Sequence, residues 1–242
     1  MKQRVVRCLL TVTSLGTCIS SCTTYVPTLT PTPLLQHGGQ VEAGASFHPI
    51  SQAEAYVAYS PVKHLLLVVN GAQRWNMPTG DTRIKATQGD VAVGGYGTFG
   101  NNRWYLGGLA GYGGAQSFYR FYVPDSPLKE YRSRYARPYG QLWLARQTTG
   151  LAYGAALRAT SLHFTRLTFN DQPVQQSVPH LYAAPSLFVR WGQGAVQGHA
   201  QVGVSTPLGS AFSGRETDLY ASELVLGVGV VFSPHLRRPK AQ

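Results

Sequence analysis

Apolar residues in this chain recur at every second position, segment after segment. Val41, Ala43, Ala45 and Phe47 alternate with Gln40, Glu42, Gly44 and Ser46, and Ala53, Ala55, Val57 and Tyr59 alternate with Gln52, Glu54, Tyr56 and Ala58. Val196, Ala200, Val202 and Val204 alternate with Gln197, His199, Gln201 and Ser205, and Leu224, Leu226, Val228, Val230 and Phe232 share a face opposite Glu223, Gly227 and Gly229. A period of two sends alternate side chains to opposite faces of a strand, so the pattern dictates sheet with one apolar face. No segment after the first 22 residues approaches the ~18 consecutive apolar residues of a membrane-crossing helix.

Segments of this kind fall at 40–47, 52–59, 64–73, 88–99, 103–113, 135–148, 151–164, 180–191, 195–206 and 219–232. That is about ten strands, an even number, with lengths that cover the ~9–11 residues a tilted strand needs to cross hydrocarbon. Short turn-formers (Ser60 to Lys63, Gly100 to Asn102, Thr149-Gly150, Gly192 to Gly194) alternate with long connections at 74–87, 114–134, 165–179 and 207–218 once the first hairpin is passed. One rim of tight turns and one of long loops is the pattern of an up-and-down barrel. Charged residues make up 13% of the chain, about half the ~25% of a soluble domain. The second face of the strands carries Gly, Ala, Ser, Gln, Tyr and Thr rather than the Lys, Glu and Asp of a soluble surface. The expected fold is therefore all-β, an antiparallel up-and-down transmembrane β-barrel over 40–233. The alternative is a soluble antiparallel barrel or sandwich with its apolar face turned inward.

The N-terminus reads as an export signal. Lys2, Arg4 and Arg7 precede a short apolar run from Cys8 to Gly16, and Ile19-Ser20-Ser21-Cys22 places an aliphatic residue and two small ones before a cysteine. This resembles the cleavage box of bacterial lipoproteins, which implies a signal peptide over 1–21 and acylation (palmitate) of Cys22. Leu15-Gly16-Thr17-Cys18 is a weaker rival box. With Cys8 and Cys18 upstream of the cut, an acylated Cys22 leaves no free thiol for disulfides, zinc or thiol catalysis. Residues 22–39, with Pro27, Pro31 and Pro33, read as a stiff extended tether. An even strand count puts both termini at the tight-turn rim, where a lipid on Cys22 reaches the periplasmic leaflet. A basic tail, 234–242, closes the chain.

Formal charge is +11. Without Lys2, Arg4 and Arg7 the balance is eighteen basic against ten acidic residues, or +8. Nucleic acid is one partner for such a charge, but an exported lipoprotein meets anionic headgroups and phosphorylated glycolipid instead. The expected partners are outer-membrane lipid and lipopolysaccharide, with no nucleic acid.

Further residues carry a resemblance: the box Ile19 to Cys22 followed by Tyr25-Val26-Pro27, then Pro33-Leu34-Leu35, Gly38 to Ala43, Ala55 to Tyr59 and His64 to Leu67. Together they are similar to a family of outer-membrane β-barrel lipoproteins of Bacteroidota. The chain departs from that pattern with Gly39-Gln40 where Gly-Glu is commoner. The resemblance implies a lipid-anchored barrel in the cell outer membrane with long loops facing the exterior, and it brings no activity or cofactor.

Residues that could carry chemistry give no enzyme signature. His163, His180 and His199 lie on or near strands, but there is no Gly-x-Ser-x-Gly and no His-Glu-x-x-His. Asp81, Asp90, Asp125, Asp171, Glu216 and Asp218 are expected near the long-loop rim, scattered without a pair. No cofactor or metal is implied, and the chain reads as non-enzymatic; a barrel hydrolase is the minority alternative. Glu42, Glu54, Arg158, Arg190, His199 and Glu223 are expected inside the barrel, as a salt-bridged plug or as the lining of a narrow channel. Trp75, Trp104, Tyr153 and Trp191 fall at strand ends as interfacial anchors. Between Ser117 and Tyr139, basic and aromatic residues interleave: Arg120, Lys129, Arg132 and Arg134 with Tyr131 and Tyr135. That combination can bind anionic glycan or lipopolysaccharide phosphate, or it can be an extended solvated hairpin.

Overall fold

The computed structural model describes residues 25–49, 51–75, 83–121, 128–174, 179–208 and 222–234. The alternating segments form β1 (Gln40–His48), β2 (Gln52–Ser60), β3 (Leu65–Arg74), β4 (Arg83–Phe99), β5 (Trp104–Phe121), β6 (Lys129–Thr148) and β7 (Leu151–Phe169). After these come the two-residue β8 (Gln172–Pro173), then β9 (His180–Trp191), β10 (Val196–Leu208) and β11 (Glu223–Phe232). All pairings are antiparallel. β9 pairs with β7, leaving β8 as an extension of the outer end of β7, and β1 pairs with β11 from Ala43↔Phe232 to Phe47↔Val228. Ten strands therefore close into a barrel.

The tight rim is built as its residues require. Asn101 and Asn102 both take positive φ between β4 and β5, and Gly150 does so between β6 and β7; Asn and Gly tolerate that region best, and such turns match the twist of a hairpin. The opposite rim carries the long connections, apart from the short β1–β2 turn. The wall is uneven. β1 and β2 have 9 residues each, whereas β4 to β7 have 17 to 20, because β5 and β6 continue as a hairpin past the expected ends of their strands.

The apolar face points outward, opposite to the inward-facing arrangement of the alternative. Leu142 is 62% exposed and Val228 54%, while Trp143, the neighbour of Leu142, is 1% exposed inside. The outward face of β6 passes from Arg146 through Leu144, Leu142, Gly140, Pro138 and Ala136 to Arg134 and Arg132. Arg134 and Arg146 are twelve positions apart; at ~3.4 Å per residue and a tilt of ~40° they bound an apolar belt of about 30 Å. Trp104, with the Arg146 guanidinium 5.5 Å from its ring, and the exposed Tyr153 and Trp191 mark the tight-rim edge of that belt, and Trp75 lies at the other edge. Inside, Tyr96 stacks on Tyr105 (5.4 Å) and Tyr105 on Trp143 (6.2 Å). Gly107 lies opposite Trp143, and a Cβ there would come within 2.2 Å of the indole.

The N-terminal segment departs from expectation. The Pro-rich stretch is extended, but it is not a tether outside the barrel: residues 25–33 are all buried and run along the lumen. Leu34 and Gln36 lie at the tight rim, where Gly39 turns the chain into β1 through Gly39 N–H to the Ser60 carbonyl (2.6 Å). The other end lies at the long-loop rim, where the Pro27 carbonyl accepts from Gln52 at the tip of the β1–β2 hairpin and Tyr25 packs on Tyr182 near the start of β9 (4.6 Å). Ser233 is at the tight rim, bonded to the Ala195 carbonyl (2.7 Å). Tyr25, the first described residue, thus lies at one rim and the last strand ends at the other, whereas the sequence placed both ends of the barrel chain at the tight rim. Cys22, its cleavage box and residues 235–242 lie outside the described residues.

Candidate functional site

An extended peptide with three prolines makes no hydrogen bonds to itself, so a lumen that holds it must supply the partners water would otherwise give. The barrel wall does so carbonyl by carbonyl. Gln88 Nε2 donates to Val26 O (3.2 Å), Gln52 Nε2 to Pro27 O (3.1 Å), Gln141 Nε2 to Pro31 O and Arg190 Nη2 to Thr32 O. In the amide orientation that satisfies both groups, Gln201 takes the Thr30 N–H and donates to the Thr30 carbonyl (3.3 and 3.2 Å). The segment's own N–H groups find carboxylates: Leu29 N donates to both Glu54 oxygens (2.9 and 3.0 Å) and Leu34 N to Glu42 Oε2 (3.2 Å). Gly227 leaves room for the Leu29 side chain, whose Cδ1 would lie 2.5 Å from a Cβ at that position. At ~3.1 Å per residue, Tyr25 to Leu35 covers about 30 Å, the full depth of the apolar belt.

The six residues expected inside all face inward, and they are joined by others. Arg190 grips Glu42 with both terminal nitrogens (2.9 and 3.1 Å), and Tyr56 Oη donates to Glu42 Oε1 (2.7 Å). His48 pairs with Glu54 (2.8 Å), and Arg74 with Glu223 (3.1 Å). Arg158 donates to Gln141 Oε1 (2.8 and 3.1 Å) and Thr28 Oγ1 (3.1 Å), with its guanidinium 4.3 Å from the Tyr139 ring. His199 is buried, and its ring nitrogens make no hydrogen bond among the described residues.

Asp90 belongs to this interior and not to the rim where it was expected. Arg137 Nη2 bonds its Oδ2 at 2.5 Å and Tyr139 Oη its Oδ1 at 2.8 Å. Even positions of β4 and odd positions of β6 face inward, and strand parity alone would have found both. Asp171 does sit at the long-loop rim, in the β7–β8 turn, while Asp81, Asp125, Glu216 and Asp218 lie outside the described residues.

The same parity divides the basic aromatic set of the β5–β6 hairpin. Tyr135 is not on the surface: it is 2% exposed and packs edge-on against Tyr25 (6.1 Å). Tyr131 lies inward between Phe121 (6.4 Å) and Phe169 (4.8 Å), and Lys129 sits over the Phe121 ring (5.4 Å) at the lumen mouth. Odd positions of β6 face the lumen, so these three cannot join an outer surface. Arg120, Arg132 and Arg134 point outward. Arg120 and Arg132 clamp Glu130 (2.6 and 2.7 Å) and flank the Phe118 ring (5.6 Å each). Those hydrogen bonds, first from Arg120 and then from Arg132, hold the Glu130 carboxyl below its usual range.

Two cations join them that the sequence reading missed. Lys85 on β4 lies opposite Phe118, and Arg166 on β7 lies opposite Arg134. Lys85 shares the parity of Val91 and Val93 and was legible. Arg166 was not, because Tyr135 pairs with Phe164 and Arg134 with Arg166, leaving Thr165 as a bulge that reverses the parity of β7. The result is a groove of about 570 Å³ on the outer wall, lined by Lys85, Gln116, Phe118, Arg132, Arg134 and Arg166 and flanked by Asp171. It lies immediately past the long-loop edge of the apolar belt. Ser161 and His163, within hydrogen-bond distance (3.1 Å), sit on the exposed wall next to it.

No family model matches the chain, and no curated protein matches it. Among solved structures it is similar to a bacterial polysaccharide outer membrane secretin, at 10% identity over 85% of this chain and 100% of that one, with a TM-score of 0.23. A likeness of that size does not bear on function.

Proposed function

We propose that the protein is a non-enzymatic outer-membrane barrel lipoprotein, anchored through Cys22, whose basic outer wall binds the phosphate groups of lipopolysaccharide. The membrane reading rests on the apolar belt: its depth of about 30 Å equals the hydrocarbon thickness of a bilayer, and monomers in water rarely expose apolar patches beyond a few hundred Å². Belt edges marked by Trp104, Tyr153 and Trp191 on one side and charged residues on the other fit the two interfaces. By the usual orientation of such barrels, the long loops lie outside the cell.

The observation that carries the ligand is the groove of Lys85, Arg132, Arg134 and Arg166. These cations sit at the level of lipid headgroups and face the bilayer, not the aqueous space above the loops. Planar guanidinium groups bind phosphate through paired hydrogen bonds. With Tyr131 and Tyr135 turned inward, the binding surface is a wall that contacts the lipid beside it and not a loop above it. A channel is disfavoured because the chain's own segment, bonded at Val26, Pro27, Thr30, Pro31 and Thr32, occupies the lumen.

The test is lipopolysaccharide retained by the detergent-purified barrel. Arg134→Glu with Arg166→Glu should reduce it several-fold while heat-modifiability on gels is unchanged. Equal retention in a folded double variant rejects the phosphate reading.

A further inference from the structure

We infer that the N-terminal segment carries Cys22 up through the barrel and out at the long-loop rim, so that its acyl chains enter the cell-surface leaflet and not the periplasmic one. This rests on the reading of the barrel as an outer-membrane protein with its long loops outside. The direction of the segment follows from its partners. Leu34 bonds Glu42 and Gln36 bonds Gln147, both at the tight rim. Going backward in sequence, Thr32 meets Arg190, Thr28 meets Arg158 and Arg137, and Pro27 has reached Gln52 at the tip of the β1–β2 hairpin. Cys22 is three positions before Tyr25, a reach of at most about 10 Å. A return to the tight rim would need the whole depth of the belt, about 30 Å, through a lumen already filled.

The uneven wall offers an exit. β1 and β2 are short, so the barrel is low beside Pro27 and high along β4 to β7. At the low side a groove of about 200 Å³ runs between Pro27, His48, Pro49 and Gln52 within the mouth and Leu224 and Leu226, which face outward. A segment leaving the lumen here passes from polar mouth to apolar wall in one step. Acyl chains on Cys22 would follow that groove down onto Leu224 and Leu226. Prolines at 27, 31 and 33 keep the segment straight, and each removes an N–H that the lumen would otherwise have to satisfy.

The experiment places a specific protease site directly after Cys22 in the full-length lipoprotein and adds the protease to intact cells. A second variant, Asn101→Cys at the tight rim, is treated with a membrane-impermeant maleimide; an acylated Cys22 leaves it the only thiol in the mature chain. The inference requires cleavage in intact cells together with an unlabelled Asn101→Cys that labels after lysis. If the site is protected in cells but cut after denaturation, and Asn101→Cys is also protected, the exit is wrong and the orientation stands. A labelled Asn101→Cys with a protected site means the barrel is inverted, which overturns the orientation and the surface leaflet together. Cleavage and labelling both in intact cells overturn both.

Discussion

Arg190→Met tests whether the lumen charges hold the segment and the wall together. Arg190 is 1% exposed and Glu42 is 2%. The guanidinium supplies both oxygens of Glu42, and the same group donates to the Thr32 carbonyl and to Tyr56 Oη (3.2 Å). Without it Glu42 keeps donors from Tyr56, Leu34 and Ser233 but no opposite charge. Breaking a buried pair by removing one partner costs about 3–5 kcal/mol. At roughly 2–4 °C per kcal/mol for a chain of this size, the transition falls by about 6–20 °C. The assay is the temperature at which the fast-migrating unboiled band is lost in detergent. Glu42→Gln with Arg190→Met removes the stranded charge and should recover most of the loss. An Arg190→Met band as heat-resistant as wild type, or a double variant no better than the single one, would refute the pairing argument.

Three further outcomes follow from the same geometry. Wild-type protein in planar bilayers should give no conductance steps, whereas a chain lacking residues 25–35 should give reproducible ones; a silent deletion would mean the wall side chains close the lumen unaided. Gly107→Leu should destabilise the barrel by about 1–3 kcal/mol through collision with Trp143, while Gly140→Ala, with nothing within 4 Å of its Cβ, should leave the melting band in place. Because Glu130 is held below its usual carboxyl range by Arg120 and Arg132, it stabilises the outer hairpin above its unfolded value of about 4.3 and loses that contribution as pH falls through the folded one. Amide exchange over the hairpin should therefore be faster in Glu130→Gln than in wild type at pH 7, and the gap should close under acid; a gap that persists there removes the clamp.

Strand identity and facing were readable from the residues, because a period of two is a local property. Glu42, Glu54, Arg158, Arg190, His199 and Glu223 share the inward face for that reason alone, and Asp90, Arg137 and Tyr135 would have joined them under the same rule. The placement of Asp90 at the rim and of Tyr135 on an outer loop came from ending β4 and β6 too early. Gly-rich and Arg-rich stretches blur an apolar alternation, yet antiparallel partners can still pair through them.

Local pattern also determined that Tyr25 to Leu35 would be extended and unable to join a sheet, since Pro27, Pro31 and Pro33 lack donors. Where such a segment goes depends on closure. Only when β1 meets β11 does the interior become an enclosed space that needs filling, and only then do Gln52, Gln88, Gln141, Gln201 and Arg190 converge on one path. The position of Arg166 was likewise beyond local reading, because the bulge at Thr165 arises from a mismatch between two strands and has no signature in either one. Periodicity assigns side chains to faces; which face turns outward, and what fills the other, is set by contacts between elements far apart in the sequence.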